Sequence, residues 1–111
     1  MPNIYAYADE QITSNAPQLV YTVPVNTAGI VTDGSAANIG SEARLVNAYI
    51  VRGGGAPGSP DQVLVNQPVQ LEDDAYLDKL IGKNLGAGDE IHMTLDAAGT
   101  VNVTLSVREI V

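Results

Sequence analysis

A chain of 111 residues with five Lys and Arg against thirteen Asp and Glu carries a formal charge of −8 and contains no cysteine. The acid excess leaves no basic stripe for DNA or RNA phosphates and disfavours anionic membranes. The missing thiols exclude disulfides, thiolate catalysis and cysteine-ligated metal. At this length one domain can bury roughly two thirds of the surface its unfolded chain exposes. Phe and Trp are absent and Tyr5, Tyr7, Tyr21, Tyr49 and Tyr76 are the only aromatics, so the core must be built from Val, Leu, Ile and Ala. So few large anchors leave modest stability for a single chain, and self-association is expected.

In chain order, residues 1–17 show little pattern beyond Ile4 and two tyrosines, and read as an N-terminal arm reaching toward a neighbour. The first ten residues lack the basic and apolar regions of a signal peptide. No apolar run approaches the ~18 to 20 residues that span a bilayer, so a soluble product made in the cytosol is expected. Residues 18–23 (Gln-Leu-Val-Tyr-Thr-Val) form a strand halted by Pro24, which cannot donate to a central ladder. Residues 28–32 and 36–40 are short strands around the Asp33-Gly34 pair, a common hairpin dipeptide. Residues 43–52 make a strand with apolar side chains on both parities, as expected of a central strand covered on both faces.

Gly and Pro then dominate residues 53–60, predicting an exposed, mobile loop. Residues 62–71 resume as one or two strands broken near Pro68, and Glu72, Asp73 and Asp74 open an acidic corner. Residues 76–82 fit a helical turn with Leu77, Leu80 and Ile81 on one side. Residues 89–111 spell a β-hairpin. Ile91, Met93 and Leu95 share one parity, and so do Val101, Val103, Leu105 and Val107 after the Ala97-Ala98-Gly99 turn. About seven or eight short strands with turn signals between them and no long helix predict an all-β, antiparallel β-sandwich. A single domain is expected over 18–111, preceded by the arm at 1–17.

Few residues suggest chemistry. His92 shares the polar parity of its strand with Glu90, Thr94 and Asp96. One histidine offers a metal one ligand, so a solvated strand face is the simpler reading. No Gly-x-Ser-x-Gly elbow is present, and Gly53 to Gly55 lack the Gly-Lys-Ser/Thr that completes a phosphate loop. The carboxylates of Glu72, Asp73, Asp74 and Asp78 do not follow EF-hand spacing and read as a solvated turn. Asp33, Asp61, Asp89 and Asp96 read as ordinary turn formers. Tyr5, Tyr7 and Tyr76 are suited to stacking on sugars or, more simply, to anchoring a subunit interface. No enzymatic activity, cofactor or metal is expected.

Four phrases in order carry a resemblance: Leu-Val-Tyr-Thr-Val-Pro-Val-Asn-Thr at 19–27, the strand at 44–51, Leu-Gly-Ala-Gly-Asp-Glu-Ile at 85–91, and Ala-Ala-Gly-Thr-Val-Asn-Val-Thr-Leu-Ser at 97–106. Together they resemble small virion structural proteins of tailed bacteriophages. The chain departs from that pattern in its long Gly and Pro loop at 52–62 and in its first residues. The resemblance implies a jelly-roll-like sandwich that decorates or cements the capsid, or sits in the neck or tail, after synthesis in the bacterial cytoplasm. Its implied partners are the major capsid protein or other virion proteins, and its implied state is a homo-oligomer, a trimer first. The arm and open loops then make the contacts, through Ile4, Tyr5, Tyr7, Tyr76, Gly53, Gly54 and Gly55. On that basis, removing residues 1–15 should abolish capsid binding and leave the sandwich folded. The alternative is a receptor- or carbohydrate-binding module using the tyrosines and the acidic corner.

Overall fold

Val101, Val103, Leu105 and Val107 are all buried while Asn102 and Thr104 between them are exposed, so the alternation read from sequence is the alternation of one strand, β9 (Val101–Ile110). The computed structural model describes residues 3–71 and 73–110. The other strands are β1 (Asn3–Ile12), β2 (Gln18–Thr22), β3 (Ala28–Asn38), β4 (Arg44–Val51), β5 (Gln62–Val69), β6 (Asp74–Tyr76), β7 (Asn84–Leu85) and β8 (Glu90–Leu95). A 3-10 turn, Ser59–Asp61, precedes β5.

The strands form two antiparallel sheets. One runs β1-β9-β3-β6, with β7 also paired to β3; the other runs β2-β8-β4-β5. Their inner faces enclose one aliphatic core in which Val31, Ala36, Leu105 and Val107 of the first sheet meet the same cluster as Val46, Ala48, Ile91 and Met93 of the second. The architecture is an all-β protein of two layers, consistent with a β-sandwich.

Several expectations are corrected by this arrangement. The predicted C-terminal hairpin is not one: β8 lies between β2 and β4, and β9 lies between β1 and β3 in the opposite sheet. The reason is in the connecting turn, whose backbone is satisfied from outside. Leu95 N–H donates to Ser14 O, Asp96 N–H to Leu45 O and Gly99 N–H to Thr13 O, at 2.8, 3.0 and 3.1 Å. Arg44 Nε reaches Ala98 O at 2.8 Å, and a Cβ on Gly99 would stand 3.0 Å from the Arg44 side chain. Alternation states which face of a strand is buried; it does not name the strand's partner.

Asp33-Gly34 does not turn the chain either. The strand β3 continues through it with only a register shift between Val31 and Asp33. Gly34 faces the core, where a Cβ would meet Leu105 Cδ2 of the neighbouring strand at 3.0 Å and Leu77 Cβ of the turn after β6 at 3.4 Å, so close packing of those two leucines over the backbone explains the glycine.

The segment read as an arm is a strand. Residues 3–12 pair with β9 without a break, from Asn3↔Ile110 to Ile12↔Val101, and Ile12 is wholly buried. Its pattern was faint because the inward positions include small Ala6 and Ala8 while Tyr5 and Tyr7 occupy the outward ones, which erases the hydropathy contrast. The core-facing positions of β4 are Val46, Ala48 and Ile50; on the other parity Val51 is buried and Asn47 and Tyr49 are half-buried, so that face is covered only in part. Pro68 stands in β5, an edge strand, where a missing N–H costs no ladder bond. In the turn at 76–82, Leu80 N–H bonds Leu77 O and Lys83 N–H bonds Leu80 O; Leu77 and Leu80 are buried, but Ile81 points outward at 39% exposure.

Candidate functional site

The outer face of the five-stranded sheet gathers the tyrosines nominated from sequence. Tyr5 and Tyr7 project from β1 at 54% and 70% exposure, and Tyr76 projects from β6 at the opposite edge at 71%. Strand register defines the rows between them. Tyr5 is opposite Arg108, which is opposite Ile30 and then Asn84; Tyr7 is opposite Ser106 and then Asp33; Asp9 is opposite Thr104, Ser35 and Tyr76 in turn. Beyond Arg108 and Ile30 in the Tyr5 row, the floor between the aromatic edges is of small polar residues. It holds two open depressions, one of about 350 Å³ beside Asp9, Gln11, Asn102 and Thr104 and one of about 310 Å³ beside Asp33, Ser35, Asp74 and Tyr76. The side chain of Ile4 and residue Glu72, both singled out from sequence, lie outside the described residues.

Gly53, Gly54 and Gly55 do not join this face. They cap one end of the sandwich, and the loop expected to be mobile is anchored by two carboxylates. Asp89, only 7% exposed, accepts Gly53 N–H at 2.9 Å and Gly86 N–H at 2.7 Å, and pairs with Arg52 Nη1 at 2.7 Å. Gly55 N–H donates to Glu90 Oε1 at 3.2 Å. All three glycines have positive φ, 77°, 85° and 113°, conformations that side-chain-bearing residues rarely adopt. Burial alone would raise the Asp89 pKa; the hydrogen bonds from Arg52, Gly86 and Gly53 and the Arg52 charge outweigh it and hold the carboxyl below its ordinary range. Asp89 is the residue that sequence reasoning undervalued. Its signal was its place in Gly86-Ala-Gly-Asp89, a tight turn whose backbone N–H groups need an acceptor.

His92 sits on the outer face of the four-stranded sheet between Leu19 and Tyr49. Its Nε2 lies 2.9 Å from Glu90 Oε1. That hydrogen bond, with the one from Gly55 and the nearby imidazole charge, lowers the Glu90 pKa against its partial desolvation. The histidine thus completes the loop anchor. Among the described residues no cluster of three or more His, Asp and Glu is arranged to hold a metal ion.

A further polar link ties the two sheets. Tyr21 Oη on β2 donates to Glu109 Oε2 on β9, and burial first, then that hydrogen bond and the Glu109 charge, push the phenol pKa well above its ordinary value. Replacing Tyr21 by Phe is expected to cost about 1–2 kcal/mol, since it leaves a half-buried carboxylate short of a donor. The midpoint of urea unfolding, at unchanged m-value, measures it; an unmoved midpoint would show that water replaces the phenol at no cost.

No family model matches the chain, and no curated protein matches it.

Proposed function

We propose that this chain is a structural protein of a phage particle, a capsid decoration protein that binds the lattice as an oligomer and stabilises it. The observation that supports this reading best is the strand order. The pairs β1·β9, β2·β8, β3·β6 and β4·β5 nest one inside the next and fall alternately in the two sheets. Such nesting favours a jelly roll, two Greek keys folded together, an architecture of viral capsid and lectin domains. It agrees in kind with the resemblance of residues 19–27, 44–51, 85–91 and 97–106 to small virion proteins of tailed phages.

On this reading the action is mechanical. Contact area at capsomer joints, repeated over many copies, opposes the pressure of packaged DNA. Tyr5, Tyr7 and Tyr76 are suited to the contact because a rigid ring buries a large area at a small entropy cost and keeps its hydroxyl available for a hydrogen bond. Loops pinned as firmly as Gly53 to Gly55 present a fixed shape, which lowers the ordering cost of docking.

The test is sedimentation of the purified chain with the expanded capsids of its phage, followed by electron microscopy of the particles. Stoichiometric occupancy at defined lattice positions is expected, with no retention on immobilised glycans. Absence from the capsid together with occupancy of the neck or tail would replace decoration by the neck or tail alternative. A carbohydrate-binding module is the second reading, favoured by tyrosines at both edges of a polar floor that holds Asp9 and Asp33. Glycan retention without particle binding would establish that reading instead.

A further inference from the structure

We propose that β1 is a self-association edge, along which two copies of this chain join antiparallel about a two-fold axis at Tyr7 and fuse their five-stranded sheets into one. A sheet edge exposes unpaired N–H and C=O groups, and proteins blunt such edges with short strands, bulges, Pro or charged side chains, Lys above all. The edge strand β6 has only three residues. The edge strand β2 has five and breaks register between Leu19 and Tyr21. The edge strand β5 contains Pro68, two register shifts, and Asn66 at a φ of 49°.

The strand β1 is different. It runs ten residues with no register shift against β9 and contains no Pro, Lys or Arg, its charges being the exposed Asp9 and Glu10 near its end. Among the described residues its backbone bonds only to β9, so half of its ladder groups face away from the sheet without a protein partner.

The occupant follows from side-chain placement. A parallel, in-register copy would set Asp9 on Asp9 and Glu10 on Glu10, and like charges directly opposite one another destabilise a pair. An antiparallel copy centred on Tyr7 puts Asp9 opposite Tyr5, Ala8 opposite Ala6 and Glu10 opposite position 4, so every carboxylate of the strand meets a neutral residue. The same register keeps inward residues opposite inward ones, as a continuous sheet requires. It also brings the exposed Tyr5 and Tyr7 of both copies into one four-ring patch. The two chains still carry −8 each, so their long-range repulsion should be screened, and the dimer strengthened, by added salt. The contact does not depend on capsid binding, and a two-fold edge contact differs from the trimer that the resemblance implies.

The experiment uses the full chain in native mass spectrometry and sedimentation, up to about 100 µM to include weak specific contacts. A dimer that tightens with salt is expected. Because the chain has no cysteine, Tyr7→Cys introduces a single thiol. Either kind of antiparallel pair brings opposite Cα atoms to about 4.5–5.5 Å, within disulfide range, so mild oxidation should yield a covalent dimer. Tyr76→Cys, equally exposed at the other edge of the same face, should form no covalent dimer under the same oxidation while keeping the non-covalent one. Tyr7→Lys should weaken association by about tenfold or more through like charge at the axis, with the circular dichroism spectrum and melting midpoint retained. A monomer across the concentration range, a trimer, or equal cross-linking at positions 7 and 76 would overturn the proposal.

Discussion

Deletion of residues 1–15 is expected to unfold the domain, not to yield a folded sandwich lacking an arm. The deletion removes all of β1, including Ile12, which is wholly buried, and Ala8, which is 9% exposed. It also removes Thr13 O and Ser14 O, which accept the N–H groups of Gly99 and Leu95 in the sheet-crossing turn. Truncating a buried Ile to Ala typically costs about 2–5 kcal/mol, and each lost ladder bond about 0.5–1.5 kcal/mol net. A domain holds about 5–15 kcal/mol in all, so the sum consumes most or all of it. The apolar strand β9 would become a new edge and a site of aggregation. Loss of the cooperative unfolding transition, with material moving to the void volume in size exclusion, is the expected result. Ile12→Ala alone should lower stability by about 2–4 kcal/mol and stay folded. A truncated chain that melts at the wild-type midpoint would show that β1 contributes nothing to the fold. Docking by this segment is therefore better tested with Tyr7 substitutions, which alter a side chain that the fold does not bury.

The second large effect belongs to Asp89. Asp89→Ala should cost about 2–4 kcal/mol at neutral pH, because it strands the N–H groups of Gly53 and Gly86 and releases the positive-φ loop they hold. Most of that comes from the two backbone donors. The Arg52 side chain is 59% exposed, so solvent screens its half of the ion pair. The pH dependence follows from the direction of the shift. The folded carboxyl titrates below its unfolded value of about 3.9, so its contribution is fully present above that value and is lost as pH falls through the lower folded pKa. The gap in urea-unfolding free energy between wild type and Asp89→Asn should hence be constant from about pH 5 to 7 and close below about pH 4. The lowered Glu90 pKa has the same sign, so both loop anchors weaken together in acid. A gap unchanged at pH 3 would mean that Asp89 holds the loop through its shape and not through its charge.

Much of the secondary structure was legible because burial on one face imposes a period of two. Val101 to Val107 and Ile91 to Leu95 show that period without interruption, and both are strands. The strand around Leu45 to Ile50 was legible from its β-branched and aromatic content. Two kinds of feature were misread. Gly34 and Asp33 form a turn-like dipeptide, but the glycine answers to the space left by Leu105 and Leu77, which are remote in sequence. The strand β1 hid its period because its inward residues include small alanines and its outward ones tyrosines. Of the candidate surface, the residue types were visible and their assembly was not. Tyr5, Tyr7 and Tyr76 are 71 positions apart at the extremes and share a face only because β1 and β6 flank the same sheet.

By itself the sequence determined the class: an acidic, cysteine-free, aliphatic chain whose alternating segments could be buried only as strands. Each of those properties is local, carried by a residue's own chemistry and by its neighbours two positions away. Only the tertiary structure decided partnership: that β8 and β9 part into different sheets, that residues 3–12 close one sheet as an edge, and that Asp89 gathers two turns and an arginine. Those outcomes depend on hydrogen-bonding groups and volumes contributed by distant segments, and a pattern of period two contains no term for them.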